Sequence, residues 1–323
     1  MPKISVNRNA FKLVKKLCDN PDDYGVTVET AETGTYLIDA GIESTGGFLA
    51  GKIITEICLG GLGEVTLSSM RIGRTVLPSI SVFTDHPAIA TLGSQLAGWR
   101  VKAAKYAAVG SGPARALALK PKSVFRKIAY KDESDVAVLV LETSKKPGKE
   151  TVMNIAETCG VNPENLYLVL APTASVAGFT QISGRTAETG IHKLTELGFD
   201  PHLITHAWGC APILPVHPDA VEAMGRSNDA ILYGGVAYYV VNYDDDEKLN
   251  DLAEKSVSQS SEQYGRPFAE IFEEADRDFY KIDPGIFAPA VVTINNARTG
   301  RTFTAGEINT DVLLKSIQVK KEN

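Results

Sequence analysis

Residues 166–201 read LYLVLAPTASVAGFTQISGRTAETGIHKLTELGFDP, and the rest of the chain is organised around them. Leu166 to Leu170 is a short run of bulky apolar side chains, which predicts a buried strand. Pro172 ends it, and Thr173 or Ser175 can cap the helix that follows. That helix is expected to run to Gly198, a C′ glycine, with Pro201 just beyond. On a helical wheel Val176, Phe179, Ala187, Ile191 and Leu194 share one side. Gln181, Arg185, Glu188 and His192 share the other, at spacings of four, three and four. Two readings of this polar stripe stay open. It is a solvated face carrying an ordinary Arg185–Glu188 pair of little energetic consequence, or it is a catalytic face. Gly184 and Gly190 inside the helix each cost about 1 kcal/mol relative to alanine. They imply that something approaches the backbone closely there.

Upstream, DVAVLVL at 135–141 is the clearest strand in the sequence. A helix over 150–159 joins it to the strand at 166–170, so the two strands are expected to be parallel. Further out, an amphipathic helix is expected over 7–18 and a hairpin over 24–39. A helix should open at Gly46-Gly47, followed by strands near 65–72 and 76–83. Another helix is expected from Asp85 to about Trp99, and one more over 122–130. After Pro201 the chain reads as irregular, with Pro212, Pro215 and Pro218 close together. A short helix at 219–224, a strand at 230–241, a strand at 290–294, a hairpin near Gly300 and a helix from Thr310 complete the reading. The mixture places the chain in the α/β (mixed α+β) class. Two domains are expected, residues 1–130 and 131–323, with the option that the C-terminal segment returns to the first.

With 323 residues, 44% hydrophobic and 22% charged, the composition is that of a soluble globular protein. No apolar run reaches the roughly 18 residues a membrane span requires, and the N-terminus lacks the apolar core of a leader peptide. A cytoplasmic protein is expected. Cys18, Cys58, Cys159 and Cys210 are scattered with no CxxC, which argues against a disulfide framework or structural zinc. A net charge of −6 leaves no footprint for nucleic acid.

Several residues carry chemistry. In Gly110-Ser111-Gly112-Pro113-Ala114-Arg115, glycine backbone, a hydroxyl and a guanidinium can together hold an anion. The alternative is a tight turn before a helix. Asp85 is an N-cap or a pocket carboxylate, and Ser94 and Gln95 can hydrogen-bond a polar ring. His202, His206 and Cys210, spaced four and four, would suit zinc on a continuous helix, but Pro201, Gly209 and Pro212 oppose one. The acidic run 244–247 reads as a solvated helix start, and Asp283-Pro284-Gly285 as a turn.

ISVN from Ile4, GSGPARAL from Gly110, APTASVAG from Ala171, QISGR from Gln181, ETGIHK from Glu188, APILP from Ala211 and FAPA from Phe287 occur in this order. In this the chain resembles the methenyltetrahydromethanopterin cyclohydrolases of methanogenic and related archaea, which have relatives in methylotrophic bacteria. The resemblance implies two α/β domains with a large pocket between them, in a homotrimer. It implies the reversible hydrolysis of N5,N10-methenyl-tetrahydromethanopterin to the N5-formyl compound, a step of one-carbon metabolism in methanogenesis. Glu188 would then shuttle the proton and Arg185 would orient it. Gly110, Ser111, Gly112, Pro113, Arg115, Asp85, Ser94, Gln95, Gln181 and Thr173 would contact the pterin substrate. No metal and no cofactor are expected, since the pterin is itself the substrate. The alternatives are a zinc amidohydrolase on His202, His206 and Cys210, and a non-enzymatic anion-binding protein.

Overall fold

The central strands are dictated by consecutive apolar residues with helices on either side. The computed structural model describes residues 4–103 and 106–318, and the chain divides into two units. The first comprises residues 4–64 and 88–181 and the second residues 65–87 and 182–318. The boundary expected at 130/131 is therefore corrected. It falls inside the first unit, and the chain changes unit after Glu64, Pro87 and Gln181. The physical reason is strand pairing, because the strands on both sides of that position belong to one sheet.

The first unit holds α1 (Val6–Asp19), α2 (Pro21–Tyr24), β1 (Thr27–Thr30), β2 (Tyr36–Asp39) and α3 (Phe48–Cys58). After α4 (Pro87–Ala90), whose first residue still belongs to the second unit, come β5 (Trp99–Ala103), β6 (Tyr106–Ser111), α5 (Ala114–Ala118) and α6 (Lys122–Ile128). They are followed by β7 (Ala137–Glu142), α7 (Lys149–Cys159), β8 (Leu166–Leu170) and the start of α8 (Val176–Ser183). The sheet order is β1-β2-β8-β7-β6-β5. β7 and β8 are parallel, as their helical connection requires, with Leu139 opposite Leu168. Alternate residues of these strands face opposite layers. Ile38, Val138, Val140 and Val169 pack with α1 and α3, while Leu139, Leu141, Leu168 and Leu170 pack with α7. Both faces are covered, which is why these strands are continuously apolar.

Ser5 caps α1 by accepting from the Arg8 amide. The next polar residue of that motif, Asn7, is fully buried. It donates to Asp132 and to the Pro113 carbonyl and accepts from the Val138 amide, locking α1 to β7.

The second unit holds β3 (Glu64–Ile72, from Val65 on), β4 (Thr75–Thr84), the end of α8, α9 (Thr186–Glu196), β9 (Ile204–Pro212) and α10 (Ala220–Leu232). β10 (Val236–Val241), α11 (Asp246–Lys255), α12 (Phe268–Glu274), β11 (Val291–Asn296), β12 (Thr302–Gly306) and α13 (Thr310–Ser316) complete it. Its sheet runs β12-β11-β10-β9-β4-β3. The class is mixed α/β, as the sequence implied. The acidic run starts α11, capped by Asp245, and Asp283 forms a turn by accepting from the Gly285 amide.

Local readings need four corrections. The single helix expected over 173–198 is two, α8 and α9, broken at Gly184-Arg185. The helix expected from Asp85 to Trp99 is the single turn α4 and a π-helical turn, Thr91–Gln95, and Trp99 then begins β5. The irregular stretch after Pro201 contains β9, a central strand of nine residues. The strand expected from Ala230 begins only at Val236, because α10 is capped by Asp219 and continues to Leu232.

Candidate active site

At Gly184-Arg185 the chain leaves one helix and starts another. Arg185 adopts φ −92°, ψ 0°, a sparsely populated conformation. Its amide donates to the Ile182 carbonyl (2.9 Å), and its own carbonyl accepts from the Thr189 amide (2.8 Å). The Ser183 hydroxyl donates to the Pro212 carbonyl at the end of β9, and the Thr186 hydroxyl to the Ser183 carbonyl, both at 3.0 Å. The restart puts Glu188 in the first turn of α9, where the helix dipole favours a carboxylate.

Arg185 and Glu188 are both buried, their side chains 9% and 7% exposed, with Nη1 and Oε2 4.0 Å apart. Gln181, one turn upstream in the first unit, is buried as well, and His192 is half-buried. The solvated-face reading is thereby overturned. A charged pair withdrawn from water carries a desolvation cost of several kcal/mol per ion, which a surface helix would not bear.

The close approach signalled by Gly190 comes from β10. A Cβ at that position would lie 2.0 Å from the Tyr239 hydroxyl, which donates to the Ala187 carbonyl at 3.0 Å. The Tyr239 phenol titrates well above its ordinary range, because burial, and then the charge of Glu188, both oppose ionisation. It is a fixed neutral donor behind the residue preceding Glu188. Its hydroxyl was not singled out from sequence; the signal available was Gly190 paired with a tyrosine-rich strand. Gly209 in β9 plays the matching part, since a Cβ there would meet the Ala187 nitrogen at 2.5 Å. Chemically, a buried carboxylate beside a guanidinium can accept a proton and return it, with the cation favouring the ionised form.

The first unit brings several other expected residues together. Ser94 lies in the π-helical turn, buried, with its hydroxyl on the Cys58 carbonyl (2.5 Å) and its own carbonyl accepting from the Gly112 amide (2.9 Å). Gln95 beside it is buried too. Gly112 sits at φ +95°, a conformation that favours glycine. Ser111 is 3.6 Å from the Cys58 sulfur, Gly110 is buried at the end of β6, and Pro113 leads into α5. Arg115 is a correction. It is fully buried and donates to the carbonyls of Lys120 (2.8 Å), Ser94 (2.9 Å) and Leu92 (3.2 Å). A guanidinium committed to backbone carbonyls holds the turn, and the anion-binding role expected of it is withdrawn. Thr173, just past β8, donates its hydroxyl to Glu142 at the end of β7, a partner not foreseen from sequence.

In the second unit Asp85 is exposed, 3.8 Å from His206. His206 and Cys210 lie on β9 and His202 in the turn before it. Four residues along a strand span roughly 13 Å, so the zinc triad imagined on a helix does not assemble. Among the described residues no group of three His, Cys, Asp or Glu is placed to hold a metal.

The family model for the cyclohydrolases, described as Cyclohydrolase (MCH), matches residues 5–317. This chain belongs to that family. It is 48% identical over 316 residues to the methenyltetrahydromethanopterin cyclohydrolase of Methanothermobacter marburgensis, covering 97% of this chain and 99% of that one. The enzymes of the same name from Methanocaldococcus jannaschii and Methanospirillum hungatei are also 48% identical, over 317 and 313 residues. Each alignment covers 97% of this chain and 98% of the relative. The buried Arg185–Glu188 pair thus sits in a cyclohydrolase scaffold, and the family leaves no room for the non-enzymatic alternative.

Proposed function

We propose that this cyclohydrolase hydrolyses N5,N10-methenyl-tetrahydromethanopterin reversibly to N5-formyl-tetrahydromethanopterin, with Glu188 as the proton shuttle. The observation that carries the reading is the buried pair of Arg185 and Glu188 at the helix break. The substrate's methenyl carbon lies between two nitrogens sharing a positive charge, so it is electrophilic without further activation. What it lacks is a nucleophile stronger than water and a proton for the departing nitrogen. Glu188 takes a proton from the attacking water as the carbon–oxygen bond forms. It returns that proton to N10 as the carbinolamine collapses and the carbon–N10 bond breaks; the carbinolamine hydroxyl gives up its own proton to solvent as the carbonyl forms, so one proton is released overall and the formamide is left on N5. Arg185 orients the carboxylate and keeps it ionised against desolvation. No step draws on a metal or a cofactor.

For Ser94, Gln95, Gly110, Ser111, Gly112, Pro113, Thr173 and Gln181 in the first unit, and Asp85 in the second, substrate contact is proposed on the resemblance and on the relatives' name. A homotrimer is proposed on the resemblance alone. No helix among the described residues is long and apolar enough to cross a membrane, and a cytoplasmic location is proposed with that. The test is direct. The purified chain should discharge the methenyl chromophore catalytically, before and after exhaustive chelation. A chain that leaves the chromophore intact refutes the proposed reaction. Loss of turnover on chelation, without unfolding, refutes the metal-free mechanism.

A further inference from the structure

Residues 119–131, LKPKSVFRKIAYK, carry five cations and no carboxylate in a chain of net charge −6. The structure folds this segment around an open, shallow pocket of about 500 Å³ in the first unit. Its walls are Leu119, Phe125, Ala129 and Tyr130, and the cations on it are Lys122, Arg126 and Lys131. That volume lies within the roughly 300–1,000 Å³ typical of small-molecule sites.

The walls are fixed before any ligand arrives. Phe125 and Tyr130 are buried, 5% and 8% exposed. Tyr130 is tied by its hydroxyl to the Ile4 carbonyl at 3.0 Å. Phe125 is backed by the Arg115 guanidinium, 5.5 Å from the ring centre. Arg115 also grips the turn, donating through Nε to the Lys120 carbonyl and accepting the Lys120 amide on its own carbonyl (3.1 Å). Leu119 and Ala129, on two sides of the cavity, have φ of +52° and +47°. For residues with a Cβ this costs about 1–2 kcal/mol each. Both are helix caps, closing α5 and α6 in the left-handed conformation that ends many helices.

Lys122, Arg126 and Lys131 are exposed and form no ion pair among the described residues. Of the three carboxylates that follow, Glu133 is exposed and the other two are engaged elsewhere. Asp132 is buried and accepts from Asn7, and Asp135 pairs with Arg8 at 3.5 Å. Three like charges around one apolar hollow repel one another until an anion enters. A guanidinium offers two-point contact to a phosphate, and the two ammonium groups add point charges.

We propose that this pocket is a ligand site, sharing no residue with the Arg185–Glu188 pair, for a small oligoanion of nucleotide type. Its phosphate chain meets Lys122, Arg126 and Lys131, and its apolar body lies against the edges of the lining formed by Leu119, Phe125, Ala129 and Tyr130. The proposal stands independently of the reaction assigned to Glu188.

The test is calorimetric titration of the full-length protein with ATP and with tripolyphosphate at low salt and near 0.15 M salt. ATP should bind saturably at one site per chain, at least several-fold tighter than tripolyphosphate, which lacks the apolar body, and more weakly as salt rises. The double variant Lys122→Ala/Arg126→Ala, altered only at exposed positions, should bind ATP at least tenfold more weakly with kcat and KM for the methenyl substrate unchanged. Lys255→Ala/Lys315→Ala, which removes exposed cations elsewhere, should bind ATP like the parent. Absence of saturable ATP binding by the parent, or equal affinity in the Lys122/Arg126 variant, overturns the site. A rise in KM matching the lost ATP affinity overturns its separateness.

Discussion

Replacing Glu188 by glutamine keeps the shape of the side chain and removes its ability to carry a proton. Positioned general bases contribute roughly 10²–10⁴-fold, or about 3–5 kcal/mol at ~1.36 kcal/mol per decade. The kcat of Glu188→Gln should fall by that factor while KM moves little. Stability must be followed separately, because the variant removes the Glu188 charge from beside the buried Arg185 guanidinium. At 4.0 Å the pair is worth at most about 4 kcal/mol at an effective dielectric of ~20, and the desolvation it offsets reduces the net figure. A drop of a few kcal/mol is therefore expected, and turnover is to be read where urea titration shows the variant still folded. Arg185→Lys should also lower kcat, since an ammonium lacks the planar fork of a guanidinium. The double variant should lose far less than the product of the single losses, because the two act as a unit. A folded Glu188→Gln protein with kcat within about threefold of the parent refutes the shuttle, whatever its effect on stability.

Two further outcomes follow from buried charges away from that pair. Arg115→Ala should cost at least about 3 kcal/mol in urea unfolding, because three carbonyls lose a charged donor; a silent substitution would return Arg115 to ligand binding. Asp229 in α10 accepts from the Phe268 amide at 2.8 Å, and burial pushes its carboxyl from 3.8 up to about 7. Between those values the folded chain holds a proton that the unfolded chain has released, so stability falls as pH rises through that window and levels off above it. The ceiling is about 4 kcal/mol. Asp229→Asn should flatten the profile of urea midpoints over pH 4–8, and parallel profiles for the two proteins would refute the assignment.

What the sequence displayed was governed by local chemistry. Five consecutive apolar residues at 166–170 announced β8, and Gly198, at φ +90°, closed α9 as a C′ glycine should. The parallel pairing of β7 with β8 followed from the length of their connection. What stayed hidden was governed by distant partners. β9 reads as loop because Gly209 and Pro212 dilute its pattern, yet Gly209 is required where the Ala187 nitrogen packs against the strand. Arg115 next to glycines and a serine looks like an anion site; only the fold shows its guanidinium enclosed by carbonyls of residues 92, 94 and 120. Asn7 gave no hint of Asp132, more than a hundred residues away.

The pair at the centre of the proposed chemistry was legible as residues and illegible as geometry. On one unbroken helix, Arg185 and Glu188 would be an ordinary i, i+3 surface pair contributing a few tenths of a kcal/mol. The break changes both members. Arg185 leaves helical conformation at the entry to α9, and Glu188 becomes a first-turn residue facing the positive end of a helix. Ser183 fixes the entry to the end of β9, while Gly190 lets Tyr239 press against the same helix and hold the Ala187 carbonyl. Both flanks of Glu188 are thus anchored to strands, so the carboxylate is held by rigid elements and not by a mobile loop. Such anchoring is what a proton shuttle requires, since the same oxygen must meet water and then the leaving nitrogen without reorganising between the two.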